Sequence, residues 1–218
     1  MKYIQGKDTF ETWKSVLRFI LENGKDYVDA DGRICREVLN LAAEIQNPRE
    51  NISKPITLLS SLGKWIYPPI DEIAEVVLKA ENLGTYEYCY GPRVFKYRGG
   101  INQIDDYVIP LLRANPNSRR AVISLWDPVE DTKIGKGNVV AWLISDFKIR
   151  EERLYLTFYG RSIDFFIGWP VNIYQQFLLM EKVAKELNVG LGSLTTFVSS
   201  AHIFLEYTDQ INKILKFK

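Results

Sequence analysis

The sequence has little of what metal, redox and membrane proteins need. It contains one histidine, His202, and two cysteines, Cys35 and Cys89, among 218 residues. Two distant cysteines and one histidine do not make a zinc site of the usual Cys/His kind, and they form no disulfide framework. No stretch approaches the roughly 18 consecutive apolar residues of a membrane-spanning helix, and the N-terminal residues lack the apolar core of a signal peptide. We therefore expect no metal, no membrane contact and a cytoplasmic location.

The sequence also has almost no excess of charge of either sign. Its 28 basic and 27 acidic residues give a formal net charge of +1, which creates no overall field for a nucleic acid polymer. Any phosphate group must therefore be bound by a few focused residues. The 46% hydrophobic and 25% charged residues are typical of a folded globular chain, and the length favours a single domain over residues 1–218.

Periodic apolar residues predict helices early and strands mostly later in the chain. Helices are predicted at Asp8–Glu22, Ile70–Asn82, Gln103–Ala114, Asn172–Leu187 and Tyr207–Leu215. Strands are predicted at Ala121–Trp126, Val139–Phe147, Leu154–Tyr159 and Leu194–Phe204. Three further features are a turn and mixed segment over 27–48, a hairpin turn in 148–153, and a helix stop at Gly84. This order indicates an α+β fold rather than a doubly wound sheet.

Two polar segments have residues that suit an anion. Arg119 and Arg120 follow a Pro/Asn turn and precede an apolar strand, and arginine forks bind phosphate oxygens in pairs. Arg161 and Ser162 come directly after a strand, with Asp164 close behind them. Taken alone, the first pair is also consistent with ordinary surface arginines.

Two further polar residues have side chains that suit a nucleotide. Asn172 offers an amide donor and acceptor together, which suits the edge of a pyrimidine. His202 lies in an apolar strand, where a histidine is more often a satisfied core residue than a functional one. The residue pattern alone leaves both interpretations of His202 open.

Taken together, these segments resemble the thymidylate synthase family, in the short form of methanogenic archaea, to which dCMP hydroxymethylases are related. The matching segments occur in family order over residues 86–206. They are Tyr90-Gly-Pro-Arg-Val-Phe, Asn102-Gln-Ile-Asp, Asn115-Pro-Asn-Ser-Arg-Arg-Ala-Val, Trp126-Asp-Pro, Asp146-Phe, Gly160-Arg-Ser-Ile-Asp, Pro170-Val-Asn and Ser200-Ala-His-Ile-Phe. Upstream, Asp29–Pro48 is similar to the family's N-terminal phosphate loop, with Arg33 as its basic residue.

The resemblance implies a fold, an assembly and a reaction. The fold would be α+β, with a large twisted mixed sheet flanked by helices, and two chains would pack sheet to sheet as a homodimer. The family transfers a methyl or hydroxymethyl unit to C5 of a pyrimidine nucleoside monophosphate such as dUMP. The carrier would be methylene-tetrahydrofolate or methylene-tetrahydromethanopterin, and no metal takes part. The protein would then act in nucleotide biosynthesis as a methyltransferase.

The resemblance also assigns residues to the nucleotide phosphate. Arg161 and Ser162 would bind it directly. Arg119 and Arg120 would reach the same phosphate from the partner chain.

The base, the sugar and the carrier would meet a second set of residues. By the same resemblance, Asn172 would bind the uracil edge and His202 would approach the ribose 3′ hydroxyl. Asp164 would lie near the carrier and the base as a catalytic residue. Tyr90 would line the cleft near the reacting carbon.

The resemblance breaks at the covalent centre. The family's nucleophilic cysteine adds to pyrimidine C6, and gapless counting back from the phosphate arginine puts Ala141 in its place. Phe204 stands where the family's ribose-binding pair has a tyrosine, and Trp142 stands where a smaller or polar residue is usual. Cys89 is the one candidate to take over, but adjacent strand residues point to opposite faces, so a cleft position for Tyr90 would turn it away.

Strand alternation makes one more prediction around the missing cysteine. Ala141, Leu143 and Ser145 should share one face, opposite Trp142.

Three functions remain open at this stage: an enzyme that acts at C5 without the usual thiolate, a nucleotide-binding sensor or regulatory partner without catalysis, and a structural dimer with a decayed site.

Overall fold

The structure, a computed structural model, describes residues 1–82, 89–133 and 139–217. Gly84, predicted to end a helix, lies outside these residues. The strands are β1 (Lys2–Gly6), β2 (Lys25–Val28), β3 (Ile34–Ile45), β4 (Val122–Ser124), β5 (Trp142–Arg150), β6 (Arg153–Asp164) and β7 (Gly190–Phe204). The α-helices are α1 (Thr9–Asn23), α2 (Lys54–Ser61), α3 (Ile70–Leu78), α4 (Tyr90–Phe95), α5 (Ile109–Ala114), α6 (Pro128–Asp131), α7 (Gly168–Leu187) and α8 (Thr208–Lys216).

The strands form a large mixed sheet in the order β1-β3-β7-β6-β5-β4, and β2 also pairs with β3. The β1–β3 pair is parallel, whereas β2–β3, β3–β7 and β4–β5 are antiparallel. This mixed sheet with flanking helices confirms the predicted α+β fold. Among the described residues, no helix is both long and apolar enough to cross a membrane.

The chain folds into two compact units. Unit 1 comprises Met1–Tyr67, Gly160–Tyr174 and Leu194–Lys218. Unit 2 comprises Pro68–Tyr159 and Gln175–Ser193.

In unit 1, α1 follows the predicted helix closely. The Asp8 side chain accepts a hydrogen bond from the Glu11 backbone N–H and so caps the helix. The predicted apolar stripe is buried over Phe10, Trp13, Val16, Leu17 and Ile20. The Trp13 indole N–H donates to the Phe165 carbonyl at 2.6 Å, which ties α1 to the segment after β6.

In unit 2, the predicted helix over 103–114 is interrupted. A π-helical turn, Ile104–Val108, precedes α5. Pro110 lies in the first turn of α5, where its missing N–H and its ring disfavour a continuous α-helix through this point. The predicted hairpin turn is confirmed at Glu151 and Glu152, whose positive φ angles of 49° and 56° are those of a tight type I′ turn.

In two paired strands of unit 1, the alternation of core-facing and outward-facing side chains is interrupted partway along the strand. In β7, alternate side chains are buried up to Val198, but the next buried one is Ala201, three residues on instead of two. Their partners in β3, Leu41 and Val38, are buried in the same way. Between those two, Asn40 has a left-handed φ of 56°. We call this the phase switch, because two consecutive residues of each strand turn away from the core.

The same phase switch occurs in β6, at the predicted phosphate residues Arg161 and Ser162. Gly160 and Ile163 are buried, whereas Arg161 is exposed and Ser162 is half-buried. In a regular strand these two neighbours would lie on opposite faces. Here both turn away from the core, as residues at β-bulges often do beside functional sites.

Candidate functional site

Four polar side chains of unit 1 form one connected group, which we call the polar cluster: Glu37, Ser162, Ser200 and His202. Glu37 in β3 lies directly opposite His202 in β7, and the Ser200 hydroxyl donates to Glu37 Oε1. Ser162 Oγ is 3.4 Å from both Ser200 Oγ and His202 Nδ1. The phase switch therefore places Ser162, a predicted phosphate residue, beside His202, a predicted sugar residue.

The charge state of the polar cluster follows from its burial. Burial lowers the pKa of His202, while the negative charge of Glu37 acts in the opposite direction. The imidazole is therefore neutral at pH 7, and one of its ring nitrogens is a hydrogen-bond acceptor. His202 is half-buried with its edge against Phe204, so it is not the fully enclosed core histidine that the sequence left as an alternative.

Arg33 covers the ring of Phe204, a residue of the predicted ribose-binding pair. The Cζ atom of Arg33 lies 3.2 Å from the centroid of the Phe204 ring, and its guanidinium group forms an ion pair with Glu206. Cys35 lies opposite Phe204 in the sheet and is 1% exposed. Burial raises the pKa of the Cys35 thiol, which disfavours a reactive thiolate there.

Asp164 and Asn172 lie near the end of β6 and in the first turns of α7. Asp164 Oδ1 accepts a 2.8 Å hydrogen bond from the Phe166 N–H. Burial of this carboxyl group raises its pKa to about 6, and backbone hydrogen bonds from Phe166 and Ile167 offset only part of the effect. Asn172 is half-buried, and its side-chain amide forms no hydrogen bond within the part of the chain that the structure describes.

The raised pKa of Asp164 predicts a pH dependence of stability. Its folded pKa of about 6 lies above the ordinary value of 3.8, so the folded state holds this proton more tightly. That stabilisation is complete below about pH 4 and is lost as the pH rises through 6. The asparagine side chain of Asp164→Asn has no titratable proton to lose. The difference in free energy of unfolding, variant minus wild type, should therefore increase by up to about 3 kcal/mol from pH 4 to pH 7. Urea unfolding at a series of pH values measures this difference. Asp31→Asn, at an exposed position, is the control, and parallel curves for wild type and Asp164→Asn would contradict the prediction.

In unit 2, Ala141 precedes β5 and is half-buried. Its neighbour Trp142 has its indole ring fixed by a hydrogen bond. The Trp142 indole N–H donates to Ser145 Oγ at 2.9 Å, and Ser145 Oγ is 3.0 Å from Gln176 Oε1. The Tyr90 ring contacts Trp142 with a centroid distance of 5.0 Å. Trp142 is 1% exposed and thus fills the space between Tyr90 and Ser145.

The predicted alternation around Ala141 is wrong, because Trp142 and Ser145 touch. The Leu143 carbonyl oxygen accepts from the backbone N–H groups of both Leu125 and Trp126, at 2.8 and 3.3 Å. Two residues opposite one is the arrangement of a β-bulge, which here lies in the segment after β4 and not in β5.

Arg119 and Arg120 are both exposed on the loop between α5 and β4. Their backbone is fixed, since the Arg120 N–H donates to Ser118 Oγ at 3.2 Å and the Tyr107 hydroxyl donates to the Arg120 carbonyl. Neither guanidinium group forms an ion pair or hydrogen bond with another described residue.

The predicted site residues are divided between the two units. Unit 2 holds Tyr90, Arg119, Arg120 and Ala141, and unit 1 holds Arg161, Ser162, Asp164, Asn172, His202 and Phe204.

Glu37 and Ser200 are two residues of the polar cluster that the sequence pattern does not single out. Glu37 lies in the segment for which no clear period was found, so β3 was not predicted. A polar residue inside a run such as Ile34-Cys-Arg-Glu-Val-Leu is the one signal that the sequence contains, and it becomes interpretable only when β3 is paired with β7.

The chain is similar to known proteins over its whole length. The family model for thymidylate synthase matches residues 64–218, more than half of the chain. A Methanosarcina mazei protein with thymidylate synthase as its provisional name is 33% identical over 215 residues, which covers 99% of this chain and 95% of that protein. A Methanothermobacter thermautotrophicus protein of the same provisional name is 29% identical over 222 residues, 98% of each chain. The thymidylate synthase of enterobacteria phage T4 is 31% identical over 141 residues, 63% of this chain and 48% of the phage protein.

Proposed function

Because this chain belongs to the thymidylate synthase family, whose chemistry is one-carbon transfer to a bound nucleotide, we propose that it binds a pyrimidine nucleoside monophosphate of the dUMP type and lacks the family's covalent step. The observation that carries the proposal is the phase switch in β6. It turns both Arg161 and Ser162 away from the core, and Ser162 Oγ lies 3.4 Å from His202 Nδ1. An arginine fork, a hydroxyl and a neutral imidazole together suit a phosphate and the sugar attached to it.

The loss of the covalent step follows from the residues available. The family resemblance places Ala141 where the nucleophile belongs, and an alanine methyl group cannot add to C6. Cys35 and Cys89, the two cysteines of the chain, are 1% and 4% exposed. Burial raises the pKa of the Cys35 thiol, which makes it a poor nucleophile, and the burial of Cys89 limits the access of a nucleotide to it. The protein would then act as a nucleotide sensor or as the regulatory partner of an active enzyme.

One observation favours a second function, one-carbon transfer without a thiolate. The Asp164 pKa of about 6 would let this carboxyl group both accept and donate a proton near neutral pH. The same property fits a pterin carrier such as methylene-tetrahydrofolate or methylene-tetrahydromethanopterin, whose ring offers both donors and acceptors. When bound, that carrier supplies the one-carbon unit. In this version Asp164 would hold the pterin ring, and Asn172 would orient the base.

We also propose that the protein is a cytoplasmic homodimer that packs through its sheet. Strands of unit 1 and of unit 2 leave large apolar side chains exposed. They include Leu39 at 61%, Val122 at 38%, Ile144 at 37% and Tyr159 at 38% exposure. Such strands need cover on their open face, and a second copy related by a twofold axis would supply it.

Calorimetry and tritium release test the proposed function. Wild-type protein should bind dUMP or UMP, and the nucleosides deoxyuridine and uridine should bind more weakly because they lack the phosphate. Tritium release from nucleotide labelled at C5, measured with each carrier, should stay at background. If no nucleotide binds, the nucleotide site is refuted. If tritium is released at a rate typical of an enzyme, the second function replaces the first.

A further inference from the structure

A pocket of about 300 Å³ lies in unit 2 beside the tight turn between β5 and β6, and the family resemblance gives it no role. We call it the turn pocket. Its floor is apolar and consists of Leu112, Ile149, Leu187 and Val189. Leu112 and Ile149 are buried, and the other two are half-buried. A pocket of this size with an apolar floor is typical of a small-molecule site.

Hydrogen bonds hold the walls of the turn pocket in place. The Gly190 N–H donates to the Glu152 carbonyl at 2.8 Å, which fixes the turn against the start of β7. Arg113 Nη2 donates to the Glu186 carbonyl at 3.0 Å, which ties the end of α5 to the last turn of α7. The pocket is therefore formed before any ligand binds.

The rim of the turn pocket carries four charged side chains whose charges sum to zero. Arg113 comes from α5, Arg150 from the end of β5, and Glu151 and Glu152 from the turn. Among the described residues none of these four side chains forms an ion pair, although both signs of charge lie on one rim. Each guanidinium group has five N–H donors, and within the described part of the chain each donates one hydrogen bond, to a backbone carbonyl.

Two cations and two anions above an apolar floor fit a zwitterion with an apolar body. A plain carboxylate would be attracted by the arginines and repelled by the glutamates, and a plain amine would meet the opposite arrangement. A molecule with both groups satisfies both pairs, because the arginine fork binds its carboxylate and the glutamates accept from its ammonium group. The C-terminal end of α7, at Leu187, adds a partial negative charge that also favours the ammonium group.

We propose that the turn pocket binds a free α-amino acid with an apolar side chain, such as leucine. Arg113 and Arg150 hold its carboxylate, Glu151 and Glu152 hold its ammonium group, and its side chain lies on the apolar floor. The inference concerns a second ligand and does not depend on the nucleotide site.

Calorimetric titration with leucine and three smaller or less charged compounds tests the inference. 4-Methylpentanoate lacks the ammonium group of leucine, and 3-methylbutylamine lacks its carboxylate. Wild-type protein should bind leucine at least about tenfold more tightly than either analogue, since each lacks a set of charge-assisted hydrogen bonds. Glycine has both charges but no side chain for the floor, so it should also bind at least about tenfold more weakly than leucine.

Two variants test the charged groups of the rim separately. Arg150→Ala removes a donor to the carboxylate, and the double variant Glu151→Gln/Glu152→Gln removes the negative charges that face the ammonium group. Each should weaken leucine binding at least about tenfold. Lys185→Ala, which removes an exposed cation of α7 that does not line the pocket, should keep the wild-type affinity.

The outcomes separate this inference from the proposed function. If leucine binds no more tightly than its analogues or glycine, or if Arg150→Ala keeps the wild-type affinity for leucine, the amino-acid site is refuted. The four wild-type titrations decide the question even where a variant does not fold. Titration of the same preparation with dUMP keeps the two sites apart: binding of leucine without dUMP supports the turn pocket and refutes the nucleotide site, and the reverse result refutes the turn pocket alone.

Discussion

The Ala141→Cys variant should form a covalent adduct with a 5-fluoro pyrimidine nucleotide, and the wild-type protein should form none. The variant has a thiol at the position where the family resemblance places the nucleophile. Loss of a covalent nucleophile costs up to roughly 10⁶ in rate in other enzymes, so even partial recovery should raise C5 tritium release well above the wild-type background. Intact-protein mass spectrometry detects the adduct, with 5-fluoro-dUMP and 5-fluoro-UMP tested in parallel.

Ala141→Ser is the matched control for this experiment. It introduces a hydroxyl of similar size that is not ionised at neutral pH, so it should form no adduct. Adduct formation by Ala141→Cys should be slow, because Trp142 fills the space between Tyr90 and Ser145 beside the new thiol. An adduct with wild-type protein would contradict the argument, and the Cys35→Ala and Cys89→Ala variants would then show which thiol had taken over.

Arg161→Ala should weaken nucleotide binding by roughly 10- to 100-fold, because it removes a charge-assisted hydrogen bond to the phosphate. The double variant Arg119→Ala/Arg120→Ala should weaken binding to a similar extent if these two arginines reach the same phosphate. Arg153→Ala is the control, since Arg153 lies at the exposed beginning of the same strand, β6, and contacts the Leu191 carbonyl. Calorimetry with nucleotide measures all three affinities.

Mixing the two defective proteins should restore part of the binding if the second pair of arginines acts from the partner chain. In a dimer with one chain of each kind, one site lacks every arginine and the other has all three. After random exchange of subunits, about one quarter of the sites should bind with wild-type affinity. A mixture that binds no better than its components would refute the shared phosphate site, and with it the strongest functional reason for a homodimer.

The sequence predicted α1 well because its stability depends on local features. A capping aspartate and an apolar stripe with helical period determine where it begins and which face is buried. The strand β3 was not predicted, although it has 12 residues. Its alternation is interrupted by the phase switch and by the left-handed backbone at Asn40, so no single period describes it.

The residues of the candidate site could be predicted where they belong to a motif of the sequence. They could not be predicted where their contacts depend on the pairing of distant strands. The resemblance singled out Ser162 and His202, and the structure places their side chains 3.4 Å apart. Glu37 joins them only through the β3–β7 register, which no local pattern encodes. The prediction for Trp142 is wrong because its contact with Ser145 breaks the simple alternation of the strand, which no local pattern indicates.

The phase switch determines which changes the chain can tolerate. Deletion of Arg161 would restore regular alternation in β6 with Ile163 still facing the core, but it would remove the pair of neighbouring side chains that turn away from the core together. The tight turn at Glu151 and Glu152 allows no slippage that would compensate. An insertion or deletion earlier in β6 would move each later side chain to the opposite face, whereas exchange of a single exposed side chain leaves the alternation unchanged. A protein of this design can therefore exchange single exposed side chains and keep its fold.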